Sequence, residues 1–74
     1  MSKDFNYEIK KHIATLSTSE NSDYTTELNL ISYNGASPKY DIRKWDRKSD
    51  RMLKGITLTD EEARQLKEAL ATAI

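Results

Sequence analysis

The sequence contains no cysteine, one proline and two glycines in 74 residues. Without cysteine there is no disulfide framework, no thiolate-held zinc and no thiol nucleophile. So few chain-breakers imply a continuous ordered domain. No apolar run approaches the ~18–20 residues of a membrane span. Met1 to Asn6 lacks the basic-then-apolar pattern of a signal segment, so a cytoplasmic location, free or nucleoid-associated, is the expectation. Excess charge is also missing: Lys+Arg and Asp+Glu each total 12. A net charge of zero gives no general pull on a polyanion. The length fits one domain over residues 1–74. A chain this short buries only ~60% of its unfolded surface. Lacking a disulfide or an evident metal site, it is expected to gain stability by forming a homodimer.

What is present reads as strands, then a helix. Phe5, Tyr7 and Ile9 alternate with polar neighbours, which is strand periodicity. Past Lys10 and Lys11 the apolar parity slips to Ile13, Ala14 and Leu16, so a bulge or bend is expected near residues 10–13. Ser17 to Asp23 is a polar turn. Tyr24 to Asn34 is a second strand whose even positions, Leu28 and Leu30 among them, read as core. Its odd positions are polar but end on Tyr33. Asn34-Gly35 favours positive φ and marks a turn that runs to Pro38. Lys39 to Asp46 is a third strand and Arg51 to Leu58 a fourth, in which Gly55 allows a bulge or close backbone approach. Thr59 and Glu62 form a capping box, with Asp60, Glu61 and Glu62 in the first helical turn, where the helix dipole favours acids. Ala63, Leu66, Leu70, Ala73 and Ile74 then fall on one stripe of the helix. The fold class is α+β: a four-stranded antiparallel sheet followed by one C-terminal helix. One helix covers only one face of such a sheet.

Catalytic constellations are missing. His12, the only histidine, has no cysteine to pair with and reads as structural. No hydroxyl sits in a nucleophile elbow, and no Gly-rich phosphate loop is present. The three acids from Asp60 to Glu62 are explained by capping rather than by a metal. The expectation is a non-enzyme with no cofactor, no metal and no small-molecule substrate.

Charge by segment is more telling than the total. Residues 1–38 carry three basic and five acidic groups. Residues 39–54 carry seven basic (Lys39, Arg43, Lys44, Arg47, Lys48, Arg51, Lys54) and three acidic. Residues 55–74 carry two basic and four acidic. The positive segment also holds Trp45, the only tryptophan, and Tyr33 closes the strand before it. Cations neutralise phosphates and release counterions, while flat rings accept unpaired bases. The competing reading is that Trp45 packs in a core or interface and the charges form a solvated surface.

The run Pro38-Lys39-Tyr40-Asp41-Ile42-Arg43-Lys44-Trp45, followed by Lys54-Gly55-Ile56-Thr57-Leu58-Thr59, resembles the paired signature of the positive cofactor four family of single-stranded-DNA-binding transcriptional coactivators, most closely its bacterial YdbC-type branch. The resemblance covers roughly residues 5–72. It implies a curved sheet and a homodimer in which helices meet, here through Leu66, Leu70 and Ile74. It also implies nucleic-acid contacts at Tyr33, Lys39, Arg43, Trp45 and Lys54, with Tyr33 and Trp45 stacking bases; Lys44, Arg47, Lys48 and Arg51 are expected to add a diffuse positive field. The chain shows no Ser- and Lys-rich tail of the eukaryotic kind, and its loop between the third and fourth strands is shorter than theirs. The expected function is sequence-independent binding of single-stranded DNA, in transcription or as a replication or repair accessory. The alternatives are a small protein-interaction module and an RNA-binding protein that uses the same sheet face.

Overall fold

The computed structural model describes residues 6–74. The place of Phe5 in the first strand lies outside the described residues. Four strands, β1 (Tyr7–Thr18), β2 (Tyr24–Tyr33), β3 (Lys39–Asp46) and β4 (Arg51–Leu58), precede one helix, α1 (Asp60–Ala73). The strands form one antiparallel sheet in chain order, β1-β2-β3-β4. This is the β-β-β-β-α arrangement expected from the periodicity.

The connections follow their residue chemistry. Asn34 and Gly35 take φ of 51° and 79°, the left-handed pair of a tight hairpin turn. The turn closes through an Ala36 N–H bond to the Tyr33 carbonyl at 2.9 Å. Asn34 also clasps the start of β1: its Oδ1 accepts from the Asn6 N–H at 2.9 Å, and its N–H donates to the Asn6 carbonyl at 2.9 Å. Thr59 caps α1, its hydroxyl accepting from the Glu62 N–H at 3.1 Å while the Glu62 carboxylate accepts from the Thr59 N–H at 2.9 Å.

The parity slip in β1 is real and repeated. Its pairing with β2 shifts between Ile9 and Lys11, between His12 and Ala14, and between Thr15 and Ser17. Lys10, Ile13 and Leu16 are the extra residues, so twelve positions of β1 lie against the nine from Thr25 to Tyr33. Each bulge bends and twists the strand, and three in succession curl β1 over the sheet.

One expectation is corrected. The even face of β2 was read as the core, yet Leu28 and Leu30 are only half-buried, whereas Glu27, Asn29 and Ile31 on the odd face are buried. The reason lies in coverage. Helix α1 lies on the even face but packs on β3 and β4 alone. A groove of about 510 Å³ remains beside it, lined by Ile13, Leu28, Ile42, Leu58, Leu66 and Leu70 among others. No helix residue is buried. The odd face is instead filled by its own side chains, among them the fully buried Trp45 and Ile31.

Candidate nucleic-acid interface

Two buried carboxylates organise the odd face. Glu27 accepts from both forks of Arg47, at 2.6 Å to Nη2 and 2.9 Å to Nε, and also from the Thr25 hydroxyl at 2.6 Å and the Asn29 amide at 3.2 Å. Because the Asn29 amide donates to Glu27, its Oδ1 is free to accept, and His12 Nδ1 lies 2.6 Å from it as the donor. The opposite ring nitrogen of His12 lies 3.2 Å from the Thr15 hydroxyl. The Arg47 hydrogen bonds, assisted by Thr25 and Asn29 against the opposing effect of burial, pull the Glu27 carboxyl down to a pKa of about 2. Asp41 is the second centre. It accepts from Arg43 Nε at 2.6 Å and Nη2 at 2.7 Å, from the Tyr33 hydroxyl at 2.6 Å and from the Thr57 hydroxyl at 3.0 Å. Burial works to raise its pKa, but these donors outweigh it and hold the carboxyl below its ordinary value. Burial, and then the bond to Asp41, push the Tyr33 phenol upward.

These networks decide the role of several expected contacts. Arg43 commits further donors to the Leu53 carbonyl at 3.0 Å and the Tyr33 hydroxyl at 3.3 Å, and its side chain is 14% exposed. It reaches across the sheet because it faces Gly55, where a Cβ would stand 2.0 Å from the Arg43 Cβ. The glycine therefore serves the close approach anticipated from the sequence. Arg43 thus locks β3 to β4 and to Asp41, which leaves little of it for a phosphate. Trp45 requires the plainer correction. At 0% exposure, with the Arg47 guanidinium 4.2 Å from its ring centroid and Tyr7 edge-on at 5.9 Å, it offers no free face to a base. Among the described residues its indole N–H has no hydrogen-bond partner, so packing and cation–π attraction hold the ring. Tyr33 is half-buried and tilted against Tyr7 at 6.4 Å between centroids.

The other cations lie on two faces. By register Lys39 shares the odd face with Ile31 and Arg43. Lys44 pairs with Thr26, Arg51 pairs with Asp46, and Lys54 precedes Gly55, so these three lie on the even face, beyond the stretch that α1 covers. All four are exposed, and none forms an ion pair among the described residues. Sequence reasoning passed over Tyr24. It is 48% exposed, and the Thr26–Lys44 and Tyr24–Asp46 pairs set it diagonally beside Lys44. Strand parity carried that signal: Tyr24 and Lys44 share the even positions of adjacent strands. On α1, Leu66, Leu70 and Ile74 are all exposed and form one apolar edge.

A model of the family described as Transcriptional Coactivator p15 (PC4) matches residues 21–69, a span from the β1–β2 turn to the last third of α1. A protein of Treponema pallidum (strain Nichols), described as an uncharacterized protein, is 46% identical over 67 residues, covering 90% of this chain and 78% of its own. The span of the family model takes in Asp41–Trp45, Lys54–Thr59 and both the Asp41–Arg43 and Glu27–Arg47 pairs. The chain belongs to the Transcriptional Coactivator p15 (PC4) family.

Proposed function

We propose that this protein binds single-stranded DNA with little sequence preference, as a homodimer, and serves transcription as a coactivator-like accessory. Family membership supports the nucleic-acid partner. The observation that carries the reading is that Lys39, Lys44, Arg51 and Lys54 are exposed and, among the described residues, form no ion pair, on a sheet whose internal arginines are held by Glu27 and Asp41. The neutral total charge hides this set, because most of the acidic groups that balance it lie in residues 1–38 and 55–74. Unpaired strands suit the surface better than duplex, since four dispersed cations give a modest pull and flexible strands can follow a curled sheet.

Dimerisation is supported by α1. It buries no residue, and Ile13, Ile56, Leu66, Leu70 and Ile74 form an exposed apolar set on its side of the sheet. Exposure of this kind in so small a domain supports an interface here, for which a second copy would supply a matching apolar helix by symmetry.

The test is fluorescence anisotropy with labelled oligo-dT across a salt series. The log–log slope should be about −0.7 per phosphate neutralised, and Lys39→Ala with Lys54→Ala should flatten it. A salt-independent affinity, or equal affinity for duplex, would reject the reading. A tighter response to the matched RNA strand would move the assignment to RNA.

A further inference from the structure

The sheet holds a second cavity, of about 310 Å³, formed where the β1–β2 hairpin meets β3. Thr18, Ser19, Tyr24, Thr26 and Lys44 are among its walls, so hydroxyls dominate the lining, with one ring and one ammonium. The rings of Tyr7, Tyr33 and Trp45 are engaged with one another or with Arg47, and Tyr40 lines the groove beside α1. Among the described residues, Tyr24 is the aromatic that stands exposed with no ring contact.

Its neighbours have the chemistry of a nucleotide. Lys44 sits one diagonal step from Tyr24 on the same face, a separation of roughly 7–8 Å that long side chains span. Among the described residues its ammonium has one hydrogen-bond partner, the Thr26 hydroxyl at 3.4 Å. Among the described residues Lys44 forms no ion pair, and the Asp46 carboxylate across from Tyr24 accepts from the Lys48 N–H at 3.1 Å. Arg51 and Lys54 extend the positive charge along the same face.

We propose that this cleft is a base-and-phosphate subsite: Tyr24 stacks one unpaired base, while Lys44 and the Thr26 hydroxyl take a phosphate beside it. The proposal rests on the single-strand reading above and relocates the stacking residue from Trp45 to Tyr24. A strand held there crosses from the hairpin end along the cations of the even face.

The experiment measures oligo-dT affinity by anisotropy for the wild type and for Tyr24→Phe, Tyr24→Ala and Lys44→Ala, with circular dichroism reporting the fold. Tyr24→Ala should weaken binding about tenfold or more, and Tyr24→Phe should stay within about twofold, because the ring rather than the hydroxyl does the stacking. Lys44→Ala should weaken binding and make the salt slope shallower by about 0.7. If the wild type binds and all three variants match it, the subsite is wrong and the single-strand reading stands. If the wild type does not bind, both fall. Equal losses for Tyr24→Phe and Tyr24→Ala would overturn stacking. Should Tyr24→Ala unfold, Lys44→Ala decides, since an exposed lysine can be shortened without disturbing the sheet.

Discussion

At the residue scale, Trp45 shows how composition can mislead about role. A lone tryptophan among cations suggests a base platform, but here one of those cations, Arg47, lies on its ring. The same guanidinium is held by buried Glu27 at 2.6 Å, so ring, arginine and carboxylate form a single stack of interactions. Removing the ring should leave a cavity and release Arg47. Trp45→Ala is therefore expected to cost about 3–5 kcal/mol of stability, a large share of what a domain of this size has. A urea titration followed by circular dichroism reads the loss as a lower midpoint. A variant with the wild-type midpoint but lost oligonucleotide binding would restore the stacking role. Arg43 follows the same logic: a forked donor is as well suited to a buried aspartate as to a phosphate, and in this fold Asp41 holds it.

At the element scale, the junction of β3 with β4 depends on Gly55. A Cβ there would stand 2.5 Å from the Ile42 carbonyl oxygen and 2.6 Å from the Arg43 Cα as well as meeting the Arg43 Cβ. These are backbone or backbone-anchored atoms, so the strands must part rather than a side chain swing away. Gly55→Ala should destabilise by about 1–3 kcal/mol, with amide exchange of β4 rising more than that of β2. Uniform exchange and an unchanged midpoint would show that the strand slides to make room. This contact was legible as a glycine within a strand pattern. The Asn34-Gly35 turn, the capping box and the bounds of β3 and β4 were legible too, because each rests on local residue chemistry. The face carrying the deepest burial was not. Parity separates Glu27 and Asn29 from Leu28 and Leu30, but it gives no measure of how little of β2 the helix covers. The pairing of Glu27 with Arg47 spans twenty residues, and nothing local announces it.

At the scale of the whole molecule, the legible part of the site was its positive charge and the illegible part its division. Summing over residues 39–54 counts Arg43 and Arg47 with the free cations, although Asp41 two residues away holds the first and Glu27, twenty residues away and outside that segment, holds the second. That pairing also sets the response to acid. The Glu27 carboxyl is lowered from 4.5 to about 2 in the folded chain, and Asp41 is lowered as well. A carboxyl more acidic in the folded than in the unfolded state contributes stability that is complete above its unfolded pKa and is lost as pH falls through the folded one. For Glu27 the loss runs from about pH 4.5 down to about pH 2 and amounts to on the order of 3 kcal/mol. Urea midpoints should accordingly be flat from pH 7 to pH 5 and fall steeply below. Glu27→Gln keeps the shape but leaves half-buried Arg47 with only the exposed Asp50 carboxylate, at 3.3 Å, as a counter-charge. It should be less stable than the wild type at pH 7, and the two midpoints should converge near pH 2. Parallel pH curves for the two proteins would mean that titration of Glu27 contributes nothing to the acid response and that the cation–π contact with Trp45 and the Asp50 pair seat Arg47.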